Sequence, residues 1–279
     1  MCGRYALRRD VDDLVEEFEV DEDTLSPGGS PGGSGPGPVV TLSTNVAPTT
    51  TPPVVLERFR KDEPDAPPTR SLRALRWGLV PSWSKDASGA ARMVNARVES
   101  LLSKPAFAKA AVARRCLVPV DAWYEWQTSG TATEGGKPRK QPFAVGAADG
   151  SVLSLAGIYE FWKDPAKAED DPTRWLVSFA VVTTAAEAGL DRLHERMPVV
   201  VPRDLRDAWL DPSLDDADDV QSLLDAVPRD LFLGGALQAH PVSRRVGNVR
   251  NTDPDLLDPV PLDELEGVVD LRTGELLGG

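Results

Sequence analysis

The residue best placed to do chemistry in this chain is Cys2, in the opening Met-Cys-Gly-Arg. Cysteine is small enough at the second position for Met1 to be removed, and removal would leave a free α-amine beside the thiol. Such a 1,2-aminothiol holds two nucleophiles on adjacent carbons. With ordinary pKa values of about 7.7–8.0 for the amine and about 8.5 for the thiol, both are partly deprotonated near neutrality. The amine can condense with an aldehyde to an imine, and the thiol can then close a five-membered thiazolidine ring. The alternative is an ordinary second residue on a frayed terminus.

Proton transfers in such a condensation need a group that titrates near neutrality. Glu125 lies between Tyr124 and Trp126, and an apolar wall from these rings would raise its pKa by disfavouring the charged form. The other reading is a strand-edge carboxylate paired with an arginine. His194, in His-Glu-Arg-Met-Pro-Val, carries the side chain that titrates closest to neutrality. His240, before Pro241, reads as structural. Asn95 could cap a helix expected near Ser100, form an Asx-turn, or serve a site. Glu99 is expected to tether Arg97, and Cys116, beside Leu117 and Val118, to be a buried small hydrophobe. Two cysteines and two histidines without ligand spacing suggest neither a metal site nor a disulfide framework, and no cofactor is expected.

Eight short blocks place such residues beside turn formers. After Met-Cys-Gly-Arg come Asn45-Val-Ala-Pro-Thr49, Arg76-Trp-Gly-Leu-Val-Pro-Ser-Trp83, Val94-Asn-Ala-Arg-Val-Glu-Ser100 and Arg114-Arg-Cys-Leu-Val-Pro119. Trp123-Tyr-Glu-Trp126, His194-Glu-Arg-Met-Pro-Val199 and Pro241-Val-Ser-Arg-Arg-Val-Gly-Asn248 complete the set. In this order, from Cys2 to about Asn251, the chain resembles the SRAP family, SOS-response-associated proteins that cross-link to abasic sites in DNA. The resemblance implies a sensor that binds abasic single-stranded DNA and captures the ring-opened sugar aldehyde as a thiazolidine through Cys2. It further implies that Asn95 orients the terminal amine, that Glu125 and His194 move protons, and that Arg4, Arg97 and Arg196 hold the flanking phosphates. Trp83, Trp126, Pro48 and Thr184 would shape the DNA path. Reversal or β-elimination through the imine would make the protein formally a lyase, and a peptidase acting on its own leader is a secondary implication.

Guanidinium suits phosphate because it can bond bidentately, and aromatic faces suit unstacked bases. Trp162, Trp175 and Trp209 stand outside the blocks and are expected in the core, whereas Trp77 could serve either purpose. Two rival functions remain open at this level. One is an N-terminal-nucleophile amidohydrolase such as a glutamine amidotransferase, although the chain has no early Arg-Gly-Pro-Asp segment and no Asn-Gly pair after an apolar strand. The other is a non-catalytic single-stranded DNA-binding module in which Cys2 is incidental.

These residues need a scaffold, and 279 residues suffice for a sizeable core. The composition, 41% hydrophobic and 27% charged, is globular. No long apolar run suggests a membrane span, and the charges at Arg4, Arg8, Arg9, Asp10, Asp12 and Asp13 argue against a secretory signal. A cytoplasmic monomer is expected. The net charge of −13 disfavours a polyanion partner, yet Arg70 to Arg115 carries ten basic residues against Asp86 and Glu99. A phosphate backbone responds to the field within roughly 8 Å.

Apolar spacing predicts a helix within Leu7 to Val20 and others at Ser100 to Ala113, Leu205 to Leu210 and Val220 to Ala226. Strand-like runs fall at Val39 to Leu42, Val54 to Phe59, Leu72 to Leu79, Phe143 to Val145, Val152 to Tyr159 and Trp175 to Thr184. Ser26 to Pro38 reads as a flexible Gly/Pro/Ser insertion, Asp62 to Pro68 and Thr128 to Lys140 as further loops. The pattern predicts an α+β fold, a single domain at 1–252 around a mixed, barrel-like sheet with peripheral helices. Residues 253–279 read as a weakly ordered acidic tail.

Overall fold

A computed structural model describes residues 2–26, 40–60, 62–63, 65–132 and 135–277. Apart from Ser26, the expected Gly/Pro/Ser insertion lies outside the described residues. Among the described residues sixteen strands occur in chain order: β1 (Tyr5–Leu7), β2 (Glu22–Asp23), β3 (Ser43–Val46), β4 (Pro53–Arg58), β5 (Thr69–Ala74), β6 (Arg76–Trp77), β7 (Asn95–Arg97), β8 (Arg115–Val120), β9 (Ala122–Ala132), β10 (Pro138–Ala147), β11 (Leu153–Lys163), β12 (Trp175–Ala185), β13 (Arg196–Pro198), β14 (Leu237–Pro241), β15 (Val268–Val269) and β16 (Leu276–Leu277). Among the described residues five α-helices join them: α1 (Val11–Glu17), α2 (Val98–Leu101), α3 (Ala108–Ala113), α4 (Arg206–Leu210) and α5 (Ala217–Ala226).

The strands build two main sheets. The first runs β14-β10-β9-β1-β3, the second β13-β12-β11-β8-β4-β5-β2, with β6 and β7 added parallel to β12. This is the expected α+β class, with a mixed sheet, but the sheets do not close into a barrel. The chain changes sheet at Asp121, between β8 and β9. There the Asp121 N–H donates to the Ala6 carbonyl at 2.8 Å, and its carboxylate accepts from the Arg8 N–H at 2.7 Å. That corner ties the N-terminal strand to the crossing.

Strand alternation sets which side chains meet between the sheets. In the first sheet Tyr5 opposes Val46 and Trp123, and Glu125 opposes Phe143, so these residues share one face. In the second, Trp77 opposes Phe179, Asn95 opposes Val181 and Arg97 opposes Thr183. The Tyr5 ring lies 5.0 Å from Trp77, which stacks on Phe179 at 6.3 Å. The two faces therefore pack together, with Trp77 fully buried and its indole N–H donating to the Val94 carbonyl at 2.9 Å. Truncating a ring in such a position typically costs about 3–5 kcal/mol.

Helix α1 starts where Asp10 caps it, its carboxylate accepting from the Asp13 N–H at 3.0 Å, and it buries Leu14. Asp216 caps α5 in the same way. The helix expected over 100–113 is instead the two short helices α2 and α3, with Pro105 in the intervening turn. Of the strand expected over Val39 to Leu42, Val39 lies outside the described residues, and 40–42 precede β3, which begins at Ser43. The expected loop from Thr128 to Lys140 contains the ends of the β9–β10 hairpin, because Gln127, Ser129 and Gln141 find hydrogen-bond partners there.

The segment from Asp253 is also packed, contrary to the weakly ordered tail read from its acidity. Gln127 pairs with both backbone groups of Val269, at 3.1 and 2.8 Å, as an adjoining strand would. Leu256, Leu265, Val268 and Leu271 are buried. Trp162 and Trp209 lie in the core as expected, and so does Trp77. Trp175 does not: it is 58% exposed at the outer end of the β11–β12 ladder, opposite Lys163.

Candidate active site

Cys2 leads into β1, and its own side chain is fully buried. The Asn95 amide donates from Nδ2 to the Cys2 carbonyl at 2.8 Å, which pins the N-terminal segment of one sheet to β7 of the other. Its Oδ1 is buried without a hydrogen-bond partner. Asn95 thus holds an open acceptor beside the terminal segment. It does not cap a helix, since α2 begins at Val98 with Arg97 as its flanking residue.

Glu125 is 5% exposed on β9. Antiparallel pairing places Tyr124 N–H on the Arg4 carbonyl at 2.9 Å, so Glu125 lies alongside the residues that follow Cys2. Burial raises the Glu125 pKa, and the positive charge of the chain's amino terminus acts in the opposite direction. The apolar wall differs from the one expected. Tyr124 and Trp126, as sequence neighbours in a strand, point to the opposite face. The residues sharing the Glu125 face are Trp123 and, across the ladder, Phe143, both buried. Burial also raises the Cys2 thiol, and Glu125 adds to that effect. The thiol is therefore held protonated until a base takes its proton.

His194 precedes β13 and is half-buried. Its Nδ1 accepts from the Arg196 backbone N–H at 3.0 Å, which leaves the hydrogen of the neutral ring on Nε2. Burial lowers its pKa, and the amino-terminal charge lowers it further. A neutral imidazole presenting an Nε2 hydrogen suits hydrogen bonding to a developing alcohol or sugar oxygen. Cys2, Glu125 and His194 thus respond to the same terminal charge, and Asn95 binds Cys2 directly.

The three phosphate candidates are held differently. Arg4 is half-buried, and its Nη1 donates to Asn45 Oδ1 at 2.8 Å and to the Val246 carbonyl at 2.9 Å. Arg97 is exposed and makes no ion pair within 4.0 Å among the described residues. Arg196 is buried, with Nη1 and Nη2 on the Glu99 carboxylate at 2.5 and 2.9 Å and Nη2 on the Thr183 carbonyl at 2.6 Å. Glu99 therefore tethers Arg196 rather than Arg97, a pairing that strand adjacency alone does not reveal. Removing the Glu99 carboxylate should cost about 1–2 kcal/mol, a charge-assisted bond discounted for Glu99 being more than half exposed. A thermal melt of Glu99→Ala checks this, and an unchanged midpoint would make the fork energetically idle.

The basic stretch from Arg70 to Arg115 splits in the same way. Arg70 pairs with Glu57 and Asp207, Arg73 with Glu22, and Arg114 with Glu160, while Arg115 is buried on backbone carbonyls. Lys85, Arg92, Arg97, Lys104 and Lys109 remain as exposed cations, with Lys104 over the Phe107 ring. Trp83 is 66% exposed in the loop after β6. Trp126 is half-buried against the cluster containing Tyr124 and Val246, on the face opposite Glu125. Pro48 lies in a turn where Thr49 adopts φ +74° and donates to the Trp77 carbonyl at 2.8 Å. Thr184 accepts from Arg229 Nη1 at 3.0 Å. None of these four makes a hydrogen bond to Cys2, Asn95, Glu125 or His194 among the described residues. Cys116 is buried as expected, and His240 Nε2 meets the Leu257 carbonyl at 2.8 Å. Thr183, 1% exposed with an unpartnered hydroxyl, escaped the sequence reading, and so did the clamp on Arg4 by Asn45.

Among the described residues, no group of three or more His, Cys, Asp or Glu could hold a metal ion, and no helix is long and apolar enough to cross a membrane. The profile of the SOS response associated peptidase (SRAP) family matches residues 1–249. A protein of Bacillus subtilis (strain 168) named abasic site processing protein YoqW is 32% identical over 92% of this chain and 99% of its own length. The abasic site processing protein HMCES of Rattus norvegicus is 28% identical over 79% of this chain and 65% of its own. The fold is shared with a crystal structure of a protein from Bacteroides thetaiotaomicron, with TM-score 0.70 at 20% identity, covering 93% of this chain and 100% of that one.

Proposed function

The chain belongs to the SOS response associated peptidase (SRAP) family, and from that premise we propose that it captures abasic sites in single-stranded DNA through a freed Cys2 terminus. The observation that carries this reading is the 2.8 Å bond from Asn95 to the Cys2 carbonyl, with the buried Glu125 set on β9 alongside the residues that follow Cys2. The names of its relatives, abasic site processing proteins, agree with it.

The chemistry runs in balanced steps. The neutral α-amine of Cys2 adds to the sugar aldehyde, giving a carbinolamine. Protonation of its hydroxyl by the Glu125 carboxylic acid releases water and leaves the iminium, with Glu125 now a carboxylate. The carboxylate takes the thiol proton as sulfur bonds to the former aldehyde carbon, the C=N electron pair returns to nitrogen, and the neutral thiazolidine keeps its N–H while Glu125 is again the acid. Asn95 Oδ1 accepts a hydrogen from the amine and so aims its lone pair at the aldehyde. His194, through Nε2, stabilises the departing or sugar oxygen. Holding aldehyde and aminothiol together supplies much of the rate.

Arg4, Arg97 and Arg196 are proposed to take the flanking phosphates. Arg97 is the most accessible of them, whereas Arg196 must share its guanidinium with Glu99. Exposed Trp83 would stack a base, and Trp126, Pro48 and Thr184 would line the strand path. Phosphate contacts carry little sequence information, so the lesion and not its context is selected. The functional domain spans 1–252 and works in the cytoplasm as a monomer. Slow reversal or β-elimination gives a secondary lyase activity, and removal of the leader residue gives a self-directed peptidase activity.

Intact-protein mass spectrometry after incubation with abasic single-stranded DNA tests the reading. The expected product is a 1:1 adduct formed with loss of one water, and its absence would end the proposal. Arg97→Ala should weaken binding and reduce the slope of log affinity against log salt by about 0.7, the increment for one phosphate on a single strand. An unchanged slope would remove Arg97 from the phosphate set.

A further inference from the structure

Asn45 takes no part in the chemistry above, yet it is 4% exposed and fully engaged. Its Oδ1 accepts from Arg4 Nη1 at 2.8 Å. Its Nδ2 faces the carbonyls of Val246, Asn248 and Asn251 at 3.2, 3.0 and 2.8 Å. An amide nitrogen has two hydrogens, so one is shared between two of these carbonyls. Arg4 Nη1 also reaches the Val246 carbonyl at 2.9 Å. One side chain on β3 therefore ties together Arg4, ahead of β1, and the 246–251 loop near the far end of the chain.

This arrangement has a consequence for Arg4. Both hydrogens of Nη1 are used, one on Asn45 and one on Val246. Nη1 lies on the side of the guanidinium away from the Nε hydrogen. The opposite edge, formed by Nε and Nη2, has no hydrogen-bond partner among the described residues, and Nε is a buried donor without one. That edge is the fork that bonds two oxygens of a phosphate at once. An unanchored arginine would lose rotamer freedom on presenting it, whereas this one is already oriented.

We propose that Asn45 is a positioning residue, fixing the Arg4 guanidinium so that its Nε/Nη2 edge is offered to a backbone phosphate of the DNA and seating the 246–251 loop beside it. The inference rests on the reading of Arg4 as a phosphate ligand. It goes beyond that reading by assigning preorganisation to a residue that touches neither the lesion nor the reacting atoms.

The experiment is a double-mutant cycle read by anisotropy on intact and abasic single-stranded DNA, with maximal cross-linking rate measured in parallel. Asn45→Ala should raise the half-saturating DNA concentration about tenfold, the scale of a charge-assisted hydrogen bond, and leave the maximal rate unchanged. In an Arg4→Ala background the same change should add less than about twofold, because its target is gone. Equal weakening in both backgrounds, or wild-type affinity of Asn45→Ala, overturns the proposal. Arg4→Lys gives a second reading that leaves Asn45 intact. An ammonium held by Asn45 and Val246 keeps one free hydrogen but no bidentate edge, so this variant should bind several-fold more weakly than wild type, and a lysine variant that binds like wild type also overturns the proposal. Wild-type protein that binds DNA but forms no adduct sinks the cross-linking chemistry alone and leaves the cycle readable. Wild-type protein that binds no single strand sinks both.

Discussion

Replacing Cys2 with alanine is expected to abolish the covalent adduct with abasic single-stranded DNA while non-covalent binding persists. Both nucleophiles of the reaction belong to this residue, but the alanine variant keeps the α-amine and can still form an imine. That imine has no sulfur to close the ring, so it hydrolyses back and gives no band on a denaturing gel. Borohydride separates the two steps, because hydride adds to the imine carbon and fixes the amine-linked product. Cys2→Ala should therefore show a shifted band only after reduction, and wild type should show one without it. A non-cleavable residue placed ahead of Cys2 removes the amine from reach and should eliminate both bands. An alanine variant that gives a stable adduct without reductant would refute ring closure through Cys2. Since Cys2 is fully buried, the variant should fold, at the modest cost of exchanging a thiol for a methyl hydrogen.

Glu125→Gln should slow cross-linking about 10²- to 10⁴-fold, the usual contribution of a positioned acid or base. Glutamine preserves the shape and the hydrogen-bonding capacity of the side chain but cannot exchange a proton. The same substitution has a stability signature whose sign follows from the raised pKa of Glu125, caused first by burial. Above the ordinary glutamate value of 4.5, the unfolded chain gives up this proton while the folded one retains it. Native wild type then binds more protons than the unfolded state, so its stability falls as pH rises through that window. Above the raised folded value the loss is complete and constant. The melting temperature of Glu125→Gln minus that of wild type should therefore grow as pH increases from 4.5, then level off. Parallel melting curves across that range, or a difference that shrinks, would show that Glu125 is not held neutral by its surroundings. An unchanged cross-linking rate would remove it from the proton transfers.

Much of the fold class was legible from the chain. Short β-like runs between turn-rich loops signal an α+β protein, and the helical spacing around Leu14 and Val220 marks elements that exist. The strands β8, β9 and β14 were harder to read. Arg115 to Pro119 and Trp123 to Trp126 stood out as motif blocks; β8 is buried at every position and so shows no alternation, while the buried Glu125, Gln127 and Ser129 hide that of β9. Gln127, Ser129 and Gln141 are stable inside the sheet region only because they bond to distant backbone groups. The same reason explains the C-terminal segment. Its charge suggested disorder, but Gln127 and the buried Leu265 and Val268 supply the docking that composition cannot display.

The candidate site follows a similar division. Residue chemistry by itself determined that Cys2 offers an aminothiol, that Glu125 and His194 can exchange protons, and that the arginines suit phosphate, because these are properties of side chains and short spacing. Only the tertiary structure decided which groups meet. Trp123 and Phe143, not the adjacent Tyr124 and Trp126, share the face of Glu125, since neighbours along a strand diverge while partners across a ladder converge. Glu99 went to Arg196, and Asn45 went to Arg4 and a loop two hundred residues away. Long-range pairings of this kind arise from two sheets closing on each other, and a linear pattern carries no record of the register in which they close.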